Sequence, residues 1–207
     1  MSQLELPVPV ECAVVTMEMQ RGVVGDLATM PALAKAAQSS GVVTQAARLV
    51  EGARAVGAPV VHATVSWRSD RQGTSLNNPL SRSLARNPGQ ILHGSEAVEL
   101  LADFGDTSAD LISHRHHGLT PFTGTNLDAT LRALGVSTVI AVGVSVNVGV
   151  MALVLNAADL GYRVVVATDA VIGVPLDYTQ AVFKNTFRMV ATLATVDEVL
   201  EAWSSRS

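Results

Sequence analysis

The run Thr138-Val-Ile-Ala-Val-Gly-Val144 constrains this chain more than any other stretch. Seven residues, mostly β-branched and apolar, pass without polar alternation. That is the pattern of a strand covered on both faces. Gly143 allows a tight turn, and a helical pattern follows over Val148–Leu160, beginning near Asn147. A doubly covered strand feeding a helix is part of a βαβ unit, which calls for a parallel sheet with helices on both faces.

The same rhythm recurs along the chain. Strands are predicted over Cys12–Met17, Pro59–Val65, Asp110–His114 and Arg163–Thr168, with a weaker sixth over Val190–Thr195. Helices are predicted over Val42–Val56, Leu127–Leu134, Asp177–Ala191 and Val196–Trp203. The expected fold class is α/β: a three-layer α/β/α sandwich around a mostly parallel six-stranded, Rossmann-like sheet. With 207 residues, 48% of them hydrophobic, one domain over residues 1–207 has enough apolar side chain for one core. Two stretches, Gln20–Ser40 and Trp67–Gly94, break the rhythm. Both leave the C-terminal ends of strands, where ligands bind in open α/β sheets, and long connections there read as lids or interface arms.

Composition narrows the partners. Charged residues make up 15%, below the usual quarter, so some surface is expected to be covered in a homodimer or homotetramer. A net charge of −4 without a basic run argues against nucleic acid. No apolar run approaches the roughly 20 residues of a membrane span, so no membrane partner is expected. The N-terminus carries no signal-peptide pattern, and a cytoplasmic location is expected. Cys12 is the single cysteine. It cannot form an intramolecular disulfide or a thiolate cluster, and reads as a small buried hydrophobe.

Chemistry-bearing residues collect just past the predicted strand ends. Glu18 and Gln20 follow the first, and Trp67, Arg68 and Asp70 the second. Arg115, His116, His117, Thr120 and Phe122 follow the third, and Ser145, Asn147 and Gly149 the fourth. A parallel sheet delivers all of these to one edge. A carboxyl at the end of an apolar strand is partly desolvated, which favours its proton-donating form and suits Glu18 to acid–base work; pairing with Arg21 or Arg115 is its structural alternative. His116 is an imidazole suited to acid, base or hydrogen-bonding work near neutral pH. His114 and His116 share a face if the strand continues, while His117 lies in the loop. Three histidines within Ser113–Gly118 also suggest a metal, to which Glu18 could supply a carboxylate; the favoured reading is one core-facing or solvated imidazole with no ligand role, so neither metal nor cofactor is expected. Arg68 and Arg71 are candidates to hold an anion, with Trp67 as a pocket wall and Phe122 as pocket lining or core.

From about Glu11 to the C-terminal helix, the chain resembles the isochorismatase-like hydrolases, also called cysteine hydrolases. Glu18-Met-Gln20 resembles the family's Asp-x-Gln after the first strand. His116-His-Gly-Leu-Thr120-Pro-Phe122-Thr-Gly-Thr125 resembles the Lys and Ser-x-Phe segment after the third, with His116 at the Lys position. Gly143-Val-Ser-Val-Asn147-Val-Gly149 resembles Gly-Val-x-x-Asn-Val-Cys after the fourth, and Ala157–Ala170 resembles the helix–strand unit that follows. Val144–Ser145 falls where family members often have a cis peptide. Metal-binding members use an acidic-and-His cluster after the second strand, which His62, inside that strand, matches poorly.

In amidase members a Cys attacks, an Asp takes its proton and a Lys supports the pair. The resemblance therefore implies that Glu18, His116 and Gly149 replace all three, and that Gly149 cannot attack a substrate. Isochorismatases and a related phenazine-pathway enzyme also lack the Cys. Their acidic residue is implied to protonate a vinyl carbon before water attacks. The expected function is thus non-cysteine hydrolysis of a small, anionic molecule, vinyl-ether hydrolysis of an isochorismate-like compound being the best-defined version. Glu18 is the expected acid or base and His116 orients water or substrate. Gln20, Trp67, Arg68, Phe122, Ser145 and Asn147 contact the substrate, and Gly149 leaves room for a bulkier one. Water-mediated hydrolysis of an amide, lactone or ring is one alternative; a degenerate member that binds a ligand or partner is another.

Overall fold

The computed structural model describes residues 4–87 and 91–205, so Pro88 and its two successors in the second long connection lie outside the described residues. The elements run β1 (Cys12–Met17), α1 (Arg21–Val24), α2 (Pro31–Ser39), α3 (Val42–Ala55), β2 (Val60–Val65), α4 (Pro79–Ala85), β3 (Leu111–Arg115), α5 (Leu127–Ala133), β4 (Thr138–Val144), α6 (Gly149–Asp159), β5 (Arg163–Ile172), α7 (Leu176–Val182), a π-helical turn (Phe183–Phe187), α8 (Arg188–Val190), β6 (Thr192–Ala194) and α9 (Val196–Ser204). All six strands are parallel, in the order β3-β2-β1-β4-β5-β6. One face packs Val14, Ile140 and Val142 against α3 and α9, and the other packs Val15, Val139 and Ala141 against α5 and α6. This is the three-layer α/β/α sandwich. Every residue of β4 is buried, as its unbroken apolar run demands.

Differences from the sequence reading have local causes. A register irregularity between Ala141 and Gly143 lets β5 resume pairing at Val171 and Ile172, so it runs four residues past Thr168. The long connections hold helices α2 and α4. Their prolines, Pro31 and Pro79, sit in the first turn, where a missing N–H costs nothing. Asn78 caps α4 by accepting from Ser81 N–H at 2.9 Å. The expected helix over Asp177–Ala191 is divided by the π turn. Val144–Ser145 and Val174–Pro175 are cis. Among the described residues no helix is long and apolar enough to cross a membrane.

A buried polar chain ties the sheet's lower edge together. Asp110 accepts from His62 Nε2 at 2.9 Å and pairs with Arg54, which also donates to the Phe104 carbonyl at 2.7 Å. Since Nε2 carries the proton, His62 Nδ1 accepts from the Thr16 hydroxyl, 2.7 Å away. Burial holds His62 below its ordinary 6.5, outweighing Asp110, and Arg54 and His62 hold Asp110 below 3.8 against the opposing effect of burial. His62 charges more readily in the unfolded chain, so its contribution is full above pH 6.5 and is lost as pH falls toward its lower folded value. Asp110 follows at lower pH, below 3.8. Urea unfolding at pH 7 and pH 5 is expected to show a lower midpoint at pH 5, and Asp110→Ala to cost about 3 kcal/mol at pH 7. Equal midpoints at the two pH values would contradict this reading.

Candidate active site

At the end of β1 the chain turns through Glu18 at φ +54°, a backbone state that few non-glycine residues adopt. Its N–H donates to the Ala63 carbonyl at 3.0 Å, which anchors the turn against β2. The Glu18 carboxylate forms an ion pair with Arg115, the last residue of β3, with side chains 19% and 4% exposed. Arg115 Nε also faces the Gly118 carbonyl at 3.4 Å. Its Nη1 is buried and has no hydrogen-bond partner.

The expected partner of Glu18, His116, is elsewhere. Successive residues of a strand point to opposite faces, so an offset of one residue reverses every side chain. Arg115 turns toward Glu18, while His114 and His116 point the other way and pack with His93, which the sequence reading passed over. Burial, with His116, His93 and Arg115 nearby, pushes His114 down to about 4.

Past β4, Gly143 takes φ +107°, and a Cβ there would lie 2.3 Å from the Met17 carbonyl oxygen, so only glycine fits the close approach of β1 and β4. Ser145, Asn147 and Gly149 then line a cavity of about 760 Å³ together with Glu18 and Arg115. Asn147 Nδ2 donates weakly to the Val174 carbonyl at 3.4 Å, and its Oδ1 is buried without a partner. Gly149 is in the first turn of α6, where helices leave N–H groups without intrahelical partners. Its missing side chain leaves no spare room. A Cβ would meet the Val144 carbonyl at 2.8 Å and the end of the Met17 side chain at 3.0 Å.

The remaining wall is apolar and comes from the two long connections. Met30 and Leu33 approach from α2 and its approach, Leu80 and Leu84 from α4, and Trp67 from the end of β2. Arg71 stacks its guanidinium 4.5 Å from the centre of the Trp67 ring. These helix residues escaped the sequence reading because they lie in segments read as loops, although Leu80 and Leu84 stand at helical spacing. Other expected site residues do not border the cavity. Gln20 is wholly buried and clamps β2, giving Nε2 to the Val65 and Val98 carbonyls at 3.0 and 2.9 Å and accepting from Val65 N–H at 2.8 Å. Arg68 is exposed and paired with Asp70 at 2.7 Å. Phe122 stacks on Tyr162 in the core, 6.3 Å between centres.

A parallel α/β sandwich with polar groups gathered at its C-terminal strand ends is a ligand-binding architecture. The isochorismatase domain matches residues 12–198, and the chain belongs to the isochorismatase family. It is 29% identical over 191 residues to the isochorismatase family protein YecD of Escherichia coli O157:H7, covering 92% of this chain and 95% of YecD. An isochorismatase family protein from Burkholderia thailandensis superposes with a TM-score of 0.79 at 25% identity, over 98% of this chain and 100% of the other. N-carbamoylsarcosine amidase from Thermoplasma acidophilum does so with a TM-score of 0.71 at 26% identity, over 90% and 97%. The architecture is a hydrolase fold.

The packing at residue 149 yields a direct expectation. Gly149→Ala should cost about 1–3 kcal/mol in urea unfolding, because one contact is a backbone carbonyl that cannot rotate away. An unchanged midpoint would mean that the first turn of α6 stands further from Met17 than described.

Proposed function

We propose that this chain is a hydrolase that works without a cysteine nucleophile and uses Glu18 to move the proton of an attacking water. The observation that carries this reading is the Glu18–Arg115 pair in an apolar cavity whose floor, at Gly149, offers no nucleophilic side chain. The chain's one cysteine, Cys12, is fully buried at the far end of β1. As a carboxylate bonded to a guanidinium, Glu18 is placed to accept a proton. Water attacks the acyl carbon and gives its proton to Glu18. The developing oxyanion faces the first-turn N–H groups of α6. The C–N or C–O bond then breaks as Glu18 returns the proton to the leaving group. The likeness to an amidase supports acyl chemistry.

The substrate is a small molecule with an apolar body and one anionic or carbonyl end. Arg115 and Asn147 both line the cavity, and each has a buried polar atom without a hydrogen-bond partner, Nη1 and Oδ1, which supports a polar end group on the substrate. Protonation of a vinyl ether is the second reading, supported by the family and by the absence of a side chain at residue 149. It requires Glu18 to act first as an acid rather than as a base. The test is a panel of aryl and alkyl amides, esters and enol-ether carboxylates in deuterated water. Acyl hydrolysis leaves no carbon-bound deuterium, whereas vinyl protonation places one on the product carbon.

Glu18→Gln is expected to lower kcat by about 100- to 10,000-fold. It leaves Arg115 without a counter-charge, so turnover is compared well below the variant's lower unfolding midpoint. Glu18→Asp keeps the charge, retracts it by one methylene and should lose less. Full turnover in Glu18→Gln would overturn the proposal, and ligand binding without turnover in the wild type would leave a binding protein.

A homodimer or homotetramer is proposed as the working form. The support is the low charge content and the exposed Leu176, Tyr178, Met189 and Val190 along α7 and α8. Light scattering should give at least twice the 21.6 kDa of one chain; a mass of one chain would contradict it.

A further inference from the structure

Outside the cavity lining, three imidazoles converge. His114 and His116 are two apart at the end of β3 and share a face, with ring centres 4.7 Å apart. His93 approaches from the segment that pairs with Trp67, its ring centre 5.6 Å from His116 and 6.2 Å from His114. One ring nitrogen from each lies within 4.8 Å of the others, and among the described residues no carboxylate joins them. We propose that His93, His114 and His116 form a binding site for a divalent transition-metal ion such as Zn²⁺.

The surroundings fit a ligand set. His114 Nδ1 meets the Thr64 hydroxyl at 2.8 Å, and its Nε2 meets the Ser66 hydroxyl at 2.8 Å. If Nδ1–H donates to Thr64, the Nε2 lone pair faces the cluster. An outer hydroxyl then fixes the tautomer, as ligating histidines require. Ser66 Oγ also reaches His93 Nδ1 at 3.3 Å, so an ion entering here displaces this hydroxyl from the two imidazoles or takes it as a further ligand. His93 and His116 are exposed; Zn–N bonds of about 2.0–2.1 Å at tetrahedral angles put ligand nitrogens about 3.3 Å apart, so closing from 4.8 Å needs ring rotation and a shift of His93. Three neutral nitrogens favour Zn²⁺, Co²⁺ or Ni²⁺ over Mg²⁺ or Ca²⁺, and leave a fourth position for water. His114 and His116 come from the end of β3, and His93 comes from the long connection between β2 and β3.

The site has a structural consequence. His93 N–H donates to the Trp67 carbonyl and Trp67 N–H to the Ile91 carbonyl, both at 2.8 Å. Trp67 and Ile91 both line the cavity. An ion joining His93 to β3 would therefore fix that wall from behind.

The test is titration of the full-length, chelator-stripped protein with Co²⁺ alone, followed by displacement with Zn²⁺. The expected result is one equivalent per chain, with the visible bands of low-coordinate Co²⁺ and a rise in melting temperature. His116→Ala, at an exposed position, should abolish the bands without unfolding the chain. Thr64→Val should weaken binding by about 10- to 100-fold. His117→Ala should leave metal binding unchanged. Absence of a Co²⁺ spectrum, or a spectrum that survives in His116→Ala, overturns the proposal. Zn²⁺ binding is read independently of turnover, so failure here leaves the hydrolase reading standing.

Discussion

The Glu18–Arg115 ion pair is the interaction on which the site depends. It joins the ends of β1 and β3 across β2, with Arg115 buried and the Glu18 side chain 19% exposed at the cavity. A buried charge is tolerated only with its partner in place, because removing one member leaves the other uncompensated at a cost of several kcal/mol. The pair therefore fixes where the carboxylate stands, and with it the floor of the cavity. Glu18 accepts an uncommon backbone conformation to reach it, held by the Ala63 carbonyl on one side and the Gln20 clamp on the other.

Around that pair the fold separates two kinds of polar group. The face of β2 that carries His62, Thr64 and Ser66 is lined by hydroxyls and imidazoles from one end to the other. At the lower end His62 and Asp110 close a fully bonded structural chain. At the upper end His93 and His116 are open to solvent and His114 is half-buried beneath them. The cavity itself is mostly apolar, with unsatisfied polar atoms confined to Arg115 and Asn147. A few polar groups in an apolar cleft orient a ligand without competing with one another for it.

The sheet was legible because its signal is physical and local. Unbroken apolar runs between helical patterns have few other solutions, and β1 and β4 fall on the expected residues. Family membership was legible from motif order, and Ser145, Asn147, Gly149, Glu18 and Trp67 all border one cavity. The choice between Arg115 and His116 was not legible. It turns on which way the last residues of a strand point, and motif spacing passes through a loop whose length is free to vary. Helices α2 and α4 were hidden because a proline reads as a break until its place in the first turn is known. His93 was hidden for a different reason: its neighbours in space are far along the chain, and only the pairing with Trp67 brings it to β3.

The central claim is that water, not a protein side chain, attacks the substrate, with Glu18 taking its proton. A single turnover of the best panel substrate in heavy-oxygen water, followed by intact-protein mass spectrometry and product analysis, tests this most directly. The account predicts an unmodified protein at every time point and solvent oxygen in the product of the first turnover. A transient acyl adduct on the protein, or a first product without the label, would contradict it.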